Sequence, residues 1–133
     1  MIRRTKNLLG AKALLFLGVL YTFIITYLFV APRPDFPEIE FFISMDKIGH
    51  FIIHTLLCLI WLSYFFVKAK HVLSFRNVSL IVITCITYGI VIEVSQQMLQ
   101  ANRKADLYDV LANSIGTLVG MLLFLNVKKR MFL

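Results

Sequence analysis

Asp46, His50 and His54 follow one another at intervals of four, so on a helix they share one face. Two imidazoles and a carboxylate in that pattern suit two kinds of chemistry: holding a metal ion, or moving a proton. Two other segments carry a similar stripe. Glu93 lies three residues before Gln96, with Gly89 one turn earlier, and Asp109 lies four before Asn113. His50, Glu93 and Asp109 are the candidate acid/base or ligand set. Lys47, Gln96, Arg103 and Asn113 are the candidates for substrate binding, since arginine is suited to bidentate contact with phosphate or carboxylate. Zinc accepts such a mixture of histidine and carboxylate. There is no H-E-x-x-H, and no metal or other cofactor is assigned on this spacing alone. The chain also lacks a phosphate loop, a nucleotide fingerprint and a visible serine triad.

The elements that must position these residues are apolar. The chain has 133 residues, of which 59% are hydrophobic and 16% charged, and its mean hydropathy is +0.82. A soluble domain is ~45–50% apolar and ~25% charged. Disorder is excluded, because it needs low hydrophobicity and high charge. Two cysteines cannot make a disulfide miniprotein, and Cys58 and Cys85 read as small buried hydrophobes. The length predicts one domain over 1–133. A helix needs ~20 mostly apolar residues to cross a bilayer. Four stretches qualify, roughly 13–31, 48–67, 78–97 and 108–127. The expected fold is therefore an all-α bundle of four antiparallel transmembrane helices with short loops. The basic N-terminus resembles a signal peptide, but its apolar run is long and no A-x-A-like site follows, so a retained span is expected.

A net charge of +7 could suggest nucleic acid. In a membrane chain the same excess marks the cytoplasmic face, so no nucleic-acid partner is expected. Ten basic residues fall on one side of a four-span topology: Arg3, Arg4, Lys6, Lys12, Lys68, Lys70, Arg76, Lys128, Lys129 and Arg130. The other side has four, namely Arg33, Lys47, Arg103 and Lys104. Both termini are thus expected in the cytoplasm. The segment 32–45, with Pro32, Pro34 and Pro37, is expected as an outer loop. At 1.5 Å per residue, His50 lies ~6 Å and His54 ~12 Å below Asp46. Glu93 lies ~6 Å below Gln97, Asp109 ~4–5 Å and Asn113 ~10 Å below Asp106. Three helices then place His50, Glu93 and Asp109 within the outer third of the bilayer.

Each feature also has a structural explanation. Asp46 suits the N-cap of the second span, and Asp106 or Asp109 that of the fourth. Gly116-x-x-x-Gly120 lets helices approach closely, within the chain or in a homo-oligomer. Glu93 is an ion-pair partner of Arg103, Lys47 or a protonated histidine, a neutral acid, or a catalytic group. The whole polar set is either a working site or a fixed network. A proton path is a third reading, but no ionisable residue continues it towards the cytoplasm. The first span contributes no ionisable group and is expected at the side.

The strings DKIGHFIIH at 46–54, YGIVIEVSQ at 88–96 and RKADLYDVLANSIGTLVG at 103–120 together resemble the VanZ-like family, named for a teicoplanin-resistance protein. The family pattern falls on Asp46, Lys47, His50, Phe51, Gly89, Glu93, Gln96, Arg103, Asp106, Asp109, Asn113, Gly116 and Gly120. The chain departs from it at His54, where an aromatic residue is common, and at Ala101-Asn102, where Pro-Gly or Pro-Tyr often precedes the arginine. The resemblance implies a multi-pass protein of the bacterial cytoplasmic membrane with an envelope role. Its expected partners are membrane lipids, a lipid-linked cell-wall precursor or an amphiphilic glycopeptide at the outer leaflet. It supplies no reaction.

Overall fold

In a computed structural model, the backbone is described for residues 2–32, 40–99 and 104–132, and side chains for 10–32, 45–99 and 104–130. The described residues form four α-helices: α1 (Ile2–Val30), α2 (Glu40–Lys68), α3 (Phe75–Leu99) and α4 (Leu107–Phe132). All four are long and apolar enough to cross a membrane. Large apolar side chains face outward, as lipid as solvent demands: Phe16, Phe23, Ile83 and Leu122 are each more than half exposed. Hydroxyls inside the helices bond the carbonyl one turn back, as Thr26 does to Thr22 and Thr117 to Asn113.

One boundary differs from expectation. The second helix begins at Glu40 rather than near residue 48, so the outer connection ends before residue 45. The last proline of the loop is Pro37, and the run that follows (EFFISM) contains no helix breaker. Asp46 therefore lies inside α2 and is not its N-cap. Asp106 does cap α4, its Oδ1 accepting from the Tyr108 amide at 2.8 Å. Ser74 does the same for α3, accepting from the Asn77 amide at 3.3 Å. Just before Ser74, α2 ends in a Schellman motif. Amide His71 reaches carbonyl Phe66 at 2.8 Å and amide Lys70 reaches Val67 at 3.1 Å. Lys70 takes the left-handed φ of 54° where glycine is usual.

Neighbours in sequence run antiparallel, but the most intimate pair is α2 and α4, which run in the same direction. Contacts climb in register from Lys47–Asp109 through His50–Asn113 and Thr55–Gly116 to Phe66–Phe124. Glycine makes this possible. A Cβ on Gly116 would run into the Phe51 carbonyl, and one on Gly120 would sit 2.6 Å from the Thr55 carbonyl oxygen. The small-residue motif is thus used within the chain. α1 packs on α2 and α3 but makes no close approach to α4 among the described residues.

The interior divides into two halves. Leu57, Cys58, Leu62, Phe66, Val82 and Phe124 belong to an apolar core. Towards the end where α2 and α4 begin and α3 finishes, the buried side chains turn polar: His50, His54, Glu93, Gln96, Asp109, Asn113 and Thr117. A lateral groove of about 790 Å³ between α1, α2 and α3 opens in the other half, lined by Leu57, Trp61, Leu73 and Ile81 among others, and holds none of these polar residues.

Candidate functional site

The polar end is built by three helices, one residue type at a time. Lys47, on α2, reaches across to α4 and bonds Asp106 Oδ2 at 2.6 Å and Asp109 Oδ1 at 3.0 Å. Asp109 is almost wholly enclosed, whereas Lys47 and Asp106 are partly open, with side chains 29% and 38% exposed. One turn further in, His50 is 1% exposed. Its Nδ1 stands 3.0 Å from Asn113 Oδ1 on α4 and 3.5 Å from Glu93 Oε1 on α3. An amide oxygen only accepts, so Nδ1 carries the proton in that bond. The opposite ring nitrogen, Nε2, faces Asp46 Oδ1 at 3.9 Å and Asp109 Oδ2 at 4.0 Å. Both distances exceed a hydrogen bond.

The first helix also takes part, which the lack of charged residues in its apolar span hid. The Phe29 ring stacks on His50, with centroids 4.6 Å apart and planes 25° from parallel. The Phe29 carbonyl, in the last turn of α1, accepts from Gln96 Nε2 at 2.9 Å. Gln96 is 0% exposed and ties α3 to α1. That position gives it a packing role between α1 and α3. Tyr21 and Thr26 extend the same seam, bonding the Ile53 carbonyl at 3.0 Å and the Tyr88 hydroxyl at 2.7 Å.

His54 sits one turn below His50 and apart from the carboxylates. Its ring lies against Gly89, where a Cβ would come within 2.9 Å of His54 Cε1 and 3.1 Å of Asn113 Cβ. Gly89 therefore makes room for the second imidazole between α3 and α4. Neither ring nitrogen of His54 has a hydrogen-bond partner among the described residues. Asp46, His50 and Asp109 converge, with one donor atom of each lying within 4.8 Å of the others. Lys47, Glu93 and Asn113 complete the surround. Arg103 lies outside the described residues.

A family model described as VanZ/LLP1 matches residues 13–129, nearly the whole chain. The chain belongs to the VanZ/LLP1 family. Searches of curated proteins and of solved structures found no match. The VanZ/LLP1 match takes in all four helices, including most of α1, which the motif strings left out. The chemical feature of this VanZ/LLP1 chain is the set of buried ionisable groups gathered at one end of a bundle whose remaining core is apolar. Such groups are costly in a bilayer and are functional candidates for that reason. Phe29, Tyr88 and Thr26 are members of the site that spacing alone missed. The one available signal was Gly89, one turn before Glu93, which marks a close approach.

Proposed function

We propose that this VanZ/LLP1 protein binds the anionic head of an envelope amphiphile at the outer leaflet of the bacterial cytoplasmic membrane. The candidates are a membrane lipid, a lipid-linked cell-wall precursor or a lipidated glycopeptide of the teicoplanin type. The observation that carries the reading is the meeting of Lys47, His50, Glu93, Asp109 and Asn113 at one end of the bundle, with an open rim at Asp46, Lys47 and Asp106. The excess of basic residues at the opposite end supports an outward-facing site with both termini in the cytoplasm. In this reading His50 and Glu93 handle the proton of the bound head group, and Asp109 orients Lys47 towards it. Two of the three Lys47 donors serve Asp106 and Asp109, which leaves one for a ligand oxygen.

The enclosure of His50, Glu93 and Asn113, each about 1% exposed, favours a second reading in which they form a fixed, non-catalytic network. One experiment separates the two. A Gram-positive host expressing the chain is challenged with teicoplanin, a lipidated relative and vancomycin, alongside E93Q and D109N at matched expression. Purified protein is tested for capture of a polyprenyl phosphate against the free polyprenol. Head-group recognition predicts preference for the phosphate, lost in both variants while their melting temperatures hold. Activity lost only in step with melting temperature would make the network structural. No preference for phosphate, with no change in susceptibility, would overturn the proposal.

A further inference from the structure

We propose that the lateral groove between α1, α2 and α3 holds one acyl chain of an anionic phospholipid, with the lipid phosphate at Lys68. The site lies at the opposite end of the bundle from the polar cluster and is independent of it. α2 supplies Leu57, Trp61, Phe65 and Lys68 to the groove, and α3 supplies residues at helical spacing from Asn77 to Tyr88. Among the described residues α1 supplies only Thr22, which leaves this flank open to the bilayer. From Leu57 to Lys68 the groove follows α2 for ~16 Å. One leaflet of a hydrocarbon core ~30 Å thick is ~15 Å deep. The groove thus reaches from the basic end of the bundle to about mid-membrane, the depth of one acyl chain.

The walls call for hydrocarbon. Their polar groups are already served within the protein. Trp61 Nε1 donates to Thr22 Oγ1 at 3.2 Å, and that hydroxyl donates in turn to the Gly18 carbonyl at 2.7 Å. Thr84 donates to the Leu80 carbonyl at 2.8 Å, and the Tyr88 hydroxyl bonds that of Thr26 at 2.7 Å. Walls of this kind give water little to bind. An apolar chain fills the space through many small dispersion contacts.

The mouth calls for an anion. Lys68 Nζ lies 5.5 Å from the Tyr64 ring centroid and 5.8 Å from that of Phe65. Cation–π attraction to these rings holds the ammonium at the end of the groove. Asn77 lines the groove at the same level and is exposed. The chain has no Asp or Glu before Asp35, between Asp46 and Glu93, or after Asp109. The end that carries Lys68 therefore has no acidic side chain to balance it. A lipid phosphate supplies the counter-charge. Anionic lipids are what give the cytoplasmic leaflet its negative surface, and the basic excess marks that leaflet. A second copy of the chain, lying parallel, is the poorer occupant, because its matching end carries the same positive charge.

Trp61 is the only tryptophan of the chain and lines the groove, so its fluorescence reports the occupant. The full chain is placed in phosphatidylcholine vesicles that contain, at equal mole fraction, either phosphatidylglycerol or phosphatidylcholine brominated along the acyl chains. Brominated phosphatidylglycerol should quench Trp61 more strongly than brominated phosphatidylcholine. K68Q should weaken the association of phosphatidylglycerol about five-fold, the worth of one basic residue at an anionic surface. K129Q, at the same end but outside the groove, should leave it nearly intact. T84F should fill the groove from α3 and lower quenching by both lipids. All three substitutions fall at exposed positions, which spares the fold. Equal quenching by the two lipids, a loss in K129Q equal to that in K68Q, or unchanged quenching in T84F overturns the site. Quenching that falls as the ratio of protein to lipid rises would give the groove to a second copy and overturn it as well.

Discussion

Lys47 is the residue on which the charge pattern of the site turns. It faces one enclosed carboxylate, Asp109, and one open carboxylate, Asp106, at similar distances. The two contacts should differ greatly in worth. Removing a partner from a buried ion pair costs about 3–5 kcal/mol. Solvent reaching the Lys47 side chain trims that to about 1–3 kcal/mol for K47M. D106N should stay within about 1 kcal/mol, since its pair is exposed and asparagine caps a helix as well as aspartate. Thermal unfolding of both variants in one detergent checks the order. Equal losses would mean that burial of Asp109 does not set the energy. The sequence already pointed to these residues, because charge in an apolar run is conspicuous. It could not show that one lysine takes both carboxylates, since Lys47 lies some sixty residues away on another helix.

At the scale of the helix, the α2–α4 seam depends on two absent side chains. G116V should destabilise by about 1–3 kcal/mol or more, because the added atoms meet the backbone of Phe51, which cannot step aside as a side chain would. G10A is the control. Nothing lies within 4 Å of a Cβ there, so the change should be neutral or slightly stabilising. Melting curves of the two variants check this, and similar losses in both would show that the helices tolerate wider spacing. The motif Gly116-x-x-x-Gly120 was plain in the sequence, and its partner was not. Small residues advertise close approach without naming the surface approached. Similarly, Asp46 had the residue type of a cap, yet the helix runs past it to Glu40 because nothing in EFFISM stops it.

At the scale of the whole molecule, the bundle is polar at one buried end and surrounded by apolar side chains. Its orientation is open to direct measurement. K104C, at an exposed position beside the polar end, should react with a membrane-impermeant maleimide in intact cells. K70C, in the turn at the other end, should react only after the membrane is opened. Cys58 and Cys85 are buried and should stay silent in both. The reverse labelling pattern would place the site in the cytoplasm and end the outer-leaflet proposal.

The sequence by itself determined that the chain has four segments long and apolar enough to cross a membrane, and which polar residues lie towards one end of them. Those properties depend on local composition and on the fixed rise of a helix, both of which are written along the chain. Only the tertiary structure decided which faces meet. It set α2 beside α4 through the glycines, brought Phe29 from α1 onto His50, separated His54 from the carboxylates, and turned Gln96 towards α1. Rotation of one helix about its axis against another leaves no trace in periodicity when most faces are apolar. It is fixed by the small number of close contacts and hydrogen bonds that only the packed bundle can satisfy.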